Sequence, residues 1–179
     1  MRIIGGVHKG RVLKVPSGLP VRPTTDFAKE GLFNILNSRY DLTEMRVLDL
    51  FSGTGHISLE FASRGAINVL AVDQNFKCVG FLKSTAQDLS LPISVIKSDV
   101  FDFLKKATQK FDLIFADPPY DHDEILKLPD VVFSKQLLNP GGVLVVEHGP
   151  RTKFDEKSGF AFHRKYGNVN FSFFQEKEN

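Results

Sequence analysis

Tryptophan is absent from this chain of 179 residues, and cysteine occurs once, at Cys78. A single thiol excludes an internal disulfide framework and any zinc site built from several cysteines. The five histidines (His8, His56, His122, His148 and His163) include no pair four residues apart, so a helical metal-binding pair is missing too. No apolar run approaches the roughly 20 residues that cross a bilayer. The opening Met-Arg-Ile-Ile-Gly-Gly lacks the long apolar stretch of a secretory signal. Internal repeats and low-complexity segments are lacking as well. What is present is an ordinary globular composition, 42% hydrophobic and 25% charged, at a length that buries a sizeable core. These features predict one soluble, cytoplasmic domain without metal or membrane. The chain is too short for a two-domain dehydrogenase.

The net charge of +2 conceals an asymmetry. Residues 1–25 carry Arg2, Lys9, Arg11, Lys14 and Arg22 and no acid, which leaves the remainder at −3. A basic leading segment on a mildly acidic body predicts a polyanionic partner gripped at one end.

Residues 2–15 read as two short strands, Arg2–Ile4 and Arg11–Val15, around a glycine-bearing turn. Thr25 is the expected N-cap of a helix whose Ala28, Leu32, Ile35 and Leu36 share one face. From Arg46 onward strands and helices alternate. Apolar strands are predicted at 47–51, 69–72, 93–96, 113–116 and 143–146, with helices near 57–63, 76–89, 100–107 and 124–138. Pro140-Gly-Gly142 is expected to break the chain before the fifth strand. Phe160–Tyr166 and Val169–Phe174 flank Gly167-Asn168 as a hairpin. The result is an open α/β fold with a mostly parallel seven-stranded sheet and an antiparallel C-terminal edge. An extension (residues 1–40) precedes the core (residues 41–179). In such sheets ligands sit beyond the carboxyl ends of the strands, where the strand order reverses.

The first strand runs into Asp49-Leu-Phe-Ser-Gly-Thr-Gly55, and Asp73 closes the second strand 20 residues after Gly53. Two glycines permit a tight turn against a ligand. An acid at that spacing meets the hydroxyls of a nucleotide ribose. Asp99, after the third strand, is placed to receive a base amino group, and Asp49 adds a third acid. Such a rim repels phosphate but suits S-adenosylmethionine, which carries a sulfonium and an ammonium.

The fourth strand ends in Asp117-Pro118-Pro119-Tyr120. Two prolines fix their own φ and stop both strand and helix. The turn presents a carboxylate, bare carbonyls and an aromatic ring. An exocyclic amine is a poor nucleophile because its lone pair is delocalised. Hydrogen bonds from its NH₂ to Asp117 and a loop carbonyl would favour a pyramidal nitrogen, and Tyr120 can stack on an extruded base.

Asp117-Pro-Pro-Tyr120 resembles the signature of S-adenosylmethionine-dependent amino-methyltransferases. Further strings resemble the RsmD family of small-subunit rRNA guanine-N2 methyltransferases. They are Met1–Arg11, Arg22-Pro-Thr-Thr-Asp26 with Leu32–Leu36, Val47–Gly55, Val145-Val-Glu-His148 and Arg164-Lys-Tyr-Gly167. The resemblance implies a Rossmann-like methyltransferase fold, S-adenosylmethionine as donor, and a guanine N2 in a 16S rRNA hairpin loop as acceptor. Asp117, Pro118, Pro119 and Tyr120 would then hold the amine. Asp49, Phe51, Gly53, Gly55, Asp73 and Asp99 would line the cofactor pocket, closed by Thr24, Thr25 and Asn34. Arg2, His8, Lys9, Arg11, Lys14 and Arg22 would grip RNA phosphates. A monomer working on 16S rRNA or the assembling small subunit is expected. Phe27 stands where the family usually has arginine, and Gly31 replaces a better helix former. His148 reads as a polar strand-end residue and Cys78 as packing. Methylation of adenine N6 in DNA or of a protein glutamine, and an inactive RNA-binding module, remain the alternatives.

Overall fold

The strands of the core are apolar on both faces because helices cover both sides of the sheet they form. In β1 (Arg46–Leu50), Val47 and Asp49 face one side while Leu48 and Leu50 face the other. The computed structural model describes residues 1–19, 25–122 and 124–176. Its remaining strands are β2 (Asn68–Asp73), β3 (Ile93–Lys97), β4 (Phe111–Ala116), β5 (Leu138–His148), β6 (Phe160–Tyr166) and β7 (Val169–Phe174). They form one sheet in the order β3-β2-β1-β4-β5-β7-β6. β3, β2, β1, β4 and β5 pair in parallel, and β7 lies antiparallel between β5 and the outermost strand β6. The strand order reverses between β1 and β4, as the alternating pattern predicts.

Three helices cover one face: α1 (Asp26–Arg39), α2 (His56–Ser63) and α3 (Phe76–Asp88). On the other face α4 (Val100–Lys106) and α5 (Leu128–Ser134) pack with Phe111, Phe154 and Phe174. Thr25 caps α1 as expected, its Oγ1 accepting the Ala28 N–H at 3.2 Å. Ala28, Leu32 and Leu36 of its predicted face are buried, in one core with Val47, Leu113 and Val145. Cys78 is buried packing, as read.

Three expectations are corrected. The leading hairpin reduces to a single antiparallel bridge, Arg2–Val12, flanked by backbone bonds from Ile3 N–H to Arg11 O and from Leu13 N–H to Met1 O. It has no second ribbon to pair with and lies on α2 and α3 instead. Pro140-Gly-Gly142 does not break β5 but sits inside it as an irregularity. Leu138 pairs with Phe111 and Val143 with Leu113, and Asn139 donates to the Asp112 carboxylate at 2.7 Å. The helix expected over 124–138 is shorter. A 3₁₀ turn (Ile125–Lys127) leads into α5, where Pro129 fits only in the first turn, and Gln136 at φ 51° ends the segment.

A buried ionic network fixes the leading segment. Lys29 and Glu60 are 2% and 0% exposed and lie 3.4 Å apart, while Arg64 reaches the second Glu60 oxygen at 2.8 Å. Glu60 also accepts the Ile4 N–H at 3.0 Å, and Lys29 donates to the Arg2 carbonyl. Ser63 donates to the Gly5 carbonyl and accepts the His8 N–H. Ile3 is thereby pressed against Leu59, Val79 and Leu82. Glu60→Ala strands a buried cation and should cost about 3–5 kcal/mol. Denaturant unfolding measures that loss, and hydrogen exchange should show the Ile4 amide losing protection before the sheet does.

Candidate active site

Both predicted turns leave the sheet at the reversal point. Leu50 of β1 pairs with Ala116 of β4, so the next residues, Phe51 and Asp117, leave the sheet at one level. The Asp117 N–H donates to the Leu50 carbonyl at 3.2 Å. Phe51 adopts φ 60°, a left-handed backbone that a non-glycine residue takes at some cost and that clusters at functional sites. That twist sends the chain into the glycine turn and brings the Phe51 ring 5.6 Å from His122, beyond Tyr120, and 6.5 Å from Phe101, just after Asp99. His122 and Phe101 are 5.5 Å apart. The three rings tie the glycine turn, the end of the third strand and the proline turn into one rim.

The glycine turn is fixed by Asp73. One carboxylate oxygen accepts the Gly53 N–H and the other the Asn75 N–H, each at 2.7 Å. Gly55 stands at φ 79°, and a Cβ there would run into the Leu82 side chain. It is the N-cap of α2, whose first amides have no partner within the helix. Two buried polar atoms at this turn, Ser52 Oγ and His56 Nε2, have no hydrogen-bond partner. Unsatisfied buried groups are costly; here they are groups that a polar ligand could complete. The combination of anionic rim, glycine turn and orphaned donors fits S-adenosylmethionine. Asp99 lies on the same rim, where one oxygen caps α4 through the Asp102 N–H at 3.0 Å.

Asp49 lies beneath the turn, fully buried, accepting the Ser58 hydroxyl. Burial pushes its carboxyl up to about 7; the Ser58 bonds oppose this and the Asp73 charge adds to it. His56 moves the other way, to about 3, because it is buried and next to Lys29. It is therefore neutral at physiological pH.

The proline turn is braced from β5. Tyr120 donates to the Glu147 carboxylate at 3.2 Å, and its ring lies over Gly149. Glu147 is buried. It lies in the Val145–His148 string, where an acid near the end of an apolar strand is a legible sign of a site. His148 is buried with both ring nitrogens engaged, at the Gly149 carbonyl and the Ser172 hydroxyl. Burial lowers its pKa, which fits the polar strand-end reading. Ser52, His56, Phe101 and His122 were not foreseen as site residues, since only the fold assembles them.

Other expected positions fall elsewhere. Thr24 and Arg22 lie outside the described residues, and Thr25 serves as the α1 cap. Asn34 sits in an open groove along α1 with Phe27 and Tyr166. That is the β6 side of the helix, whereas Lys29 and Phe33 face α2. Arg2 pairs with Asp26 at 2.8 Å, and the His8 ring meets the Leu89 carbonyl. Lys9, Arg11 and Lys14 are exposed.

This strand order, with an acid-lined crevice at its reversal, is that of the Rossmann-like methyltransferases. The family model described as "Conserved hypothetical protein 95" matches residues 1–175, and the chain belongs to that family. The chain is 36% identical over 164 residues to the provisionally named rRNA methyltransferase YlbH of Bacillus subtilis, covering 89% of this chain and 88% of that one. It is 33% identical over 152 residues to ribosomal RNA small subunit methyltransferase D of Haemophilus influenzae, covering 82% and 78%. Among solved structures it resembles a Thermus thermophilus 16S rRNA N2 G1207 methyltransferase in complex with AdoMet and guanosine. There the TM-score is 0.72 and the identity 25%, over 89% of this chain and 46% of that one.

The Asp49 carboxyl supplies a pH test. Its folded pKa lies above the unfolded value of roughly 3.9, so the folded state binds the extra proton between about pH 4 and 7. Stability from this group is present below pH 4 and is lost as pH rises through 7. Asp49→Asn should flatten that fall, and thermal midpoints across pH 4–8 without ligand will show whether it does.

Proposed function

We propose that the protein is an S-adenosylmethionine-dependent methyltransferase acting on the exocyclic N2 of a guanine in 16S rRNA. The observation that carries the reading is the shared rim. The Asp117 amide is bonded to the Leu50 carbonyl, and the Phe51 and His122 rings join the turn beyond each strand. The names of the relatives favour rRNA, and the guanosine in the Thermus complex favours guanine.

S-adenosylmethionine supplies an electrophilic methyl on a sulfonium. Asp73 would take the ribose hydroxyls on lone pairs beyond those used for Gly53 and Asn75. Asp99 would meet the base amino group, while Asp49 and the α2 end would face the amino-acid part. Asp117 and the Pro118 carbonyl would accept from the guanine NH₂ and aim its lone pair. Tyr120, steadied by Glu147, would stack on the base. The nitrogen forms its bond to carbon as the carbon–sulfur bond breaks, with that electron pair left on a neutral thioether. The methylated nitrogen becomes acidic only then, so its proton passes to water or Asp117 without a strong base. Lys9, Arg11 and Lys14 would hold phosphates outside the crevice.

Methyl incorporation into naked 16S rRNA, assembled small subunits and duplex DNA separates the substrates. RNA should be labelled at guanine N2, and labelling of DNA alone refutes the proposal. Asp117→Ala should lower turnover by at least a hundredfold, roughly the contribution of one positioned polar group, with donor affinity nearly intact by calorimetry. Lys9→Ala with Arg11→Ala should weaken RNA binding and reduce the salt slope by about one to two.

A further inference from the structure

Phe27 is 68% exposed on the first turn of α1, and no burial requirement accounts for it. Its ring meets the Tyr166 ring edge-on, with centroids 5.6 Å apart and planes at 78°. Tyr166 is seated against α1 at Gly31, where any Cβ would overlap the ring. Glycine inside a helix costs about 1 kcal/mol relative to alanine. Helix stability is given up there so that the ring can lie on the helix backbone. The two rings border an open groove of about 550 Å³, with Glu30 and Asn34 among its walls. That volume falls within the range of ligand clefts.

Cations flank the groove. Arg164 is exposed on the face of β6 that it shares with Phe162 and Tyr166, and the Arg39 and Arg164 guanidinium groups lie 4.4 and 4.9 Å from the Phe162 ring centroid. Charges on an outermost strand also deter edge-to-edge pairing. That role explains the cations but not an exposed phenylalanine clasped to a tyrosine. Aromatic rings beside a basic track are what single-stranded nucleic acid binds. Tyr166 ends β6 on the side of the sheet, and near the level, at which His148 ends β5. Three strand spacings, roughly 14 Å, separate β6 from β4 and its proline turn.

We propose that Phe27 and Tyr166 form a stacking platform for an unpaired base of the RNA substrate flanking the reacted nucleotide. The base lies in the groove with its amino edge toward the Glu30 carboxylate, which accepts from an exocyclic NH₂. Glu30 repels phosphate, so the backbone follows Arg164 and Arg39 instead. The inference rests on the reading that RNA is the substrate. It assigns Asn34 to the RNA side of the molecule rather than the cofactor side.

The test is equilibrium binding of the full chain to a single-stranded RNA carrying 2-aminopurine, at several salt concentrations. Phe27→Ala should weaken binding about 5- to 100-fold, the range for loss of one stacked base, with an unchanged salt slope and loss of the stacking quench. Phe27→Leu, which keeps apolar bulk, should fall nearly as far. Arg164→Ala should instead reduce the salt slope by about 0.7. Phe27→Ala binding within twofold of the parent overturns the platform, as does a concentration-dependent dimer that this substitution dissolves. If the parent still methylates rRNA in either case, only the platform falls. If it neither binds nor methylates RNA, the functional reading falls with it.

Discussion

The hydrogen bond from the Asp117 amide to the Leu50 carbonyl is the contact on which the rest of the site depends. It is the last rung of the β1–β4 pairing, and those are the strands between which the sheet order reverses. Parallel strands placed side by side at a reversal have helices leaving to opposite faces, so a crevice opens between their carboxyl ends. Whatever follows Leu50 and whatever follows Ala116 must border that crevice together. The sequence puts a two-glycine turn after one and a two-proline turn after the other. One turn yields its backbone to a ligand; the other holds a carboxylate and a ring rigid. Adjacency makes two weak local patterns into one site.

The supporting contacts share a logic. Asp73 uses both carboxylate oxygens on backbone amides and so holds the glycine turn in shape before any ligand arrives. Glu147 does the same for Tyr120 from β5. Preorganised groups of this kind need little rearrangement at the moment of reaction. Ser52, His56 and Asp49 mark the opposite tendency. Two hold unsatisfied atoms and one a carboxyl raised to about 7, so part of the folding stability is forgone at the place where a cationic ligand would restore it.

How much of this was legible in the sequence follows from what kind of interaction fixes each part. The strands and their parallel arrangement were legible because burial on both faces leaves a continuous apolar run, as in Leu113–Ala116. The three acids and both turns were legible because spacing along the chain survives folding. The Pro140–Gly142 irregularity was misread: Pro and Gly predict a break, and nothing local reveals that Asp112 and Asn139 hold the ladder together across it. The length of α5 was misread because Gln136 takes a left-handed backbone usually left to glycine or asparagine. A motif match places Asn34 in the chain but not in space, and only the packing of α1 against α2 and β6 sets the groove it lines. The ring cluster of Phe51, Phe101 and His122 joins two loops and the first turn of α4 and has no sequence signature at all.

The central claim is that the glycine turn and the proline turn enclose one cavity, with donor methyl beside acceptor amine. A crystal structure of the chain with S-adenosylhomocysteine and guanosine measures it most directly. The thioether sulfur should lie at the mouth of the Gly53–Gly55 turn, facing Asp117 and Tyr120, with the guanosine amino group hydrogen-bonded to Asp117. A ligand bound on another face, or side chains packed solidly between the two turns, would contradict it.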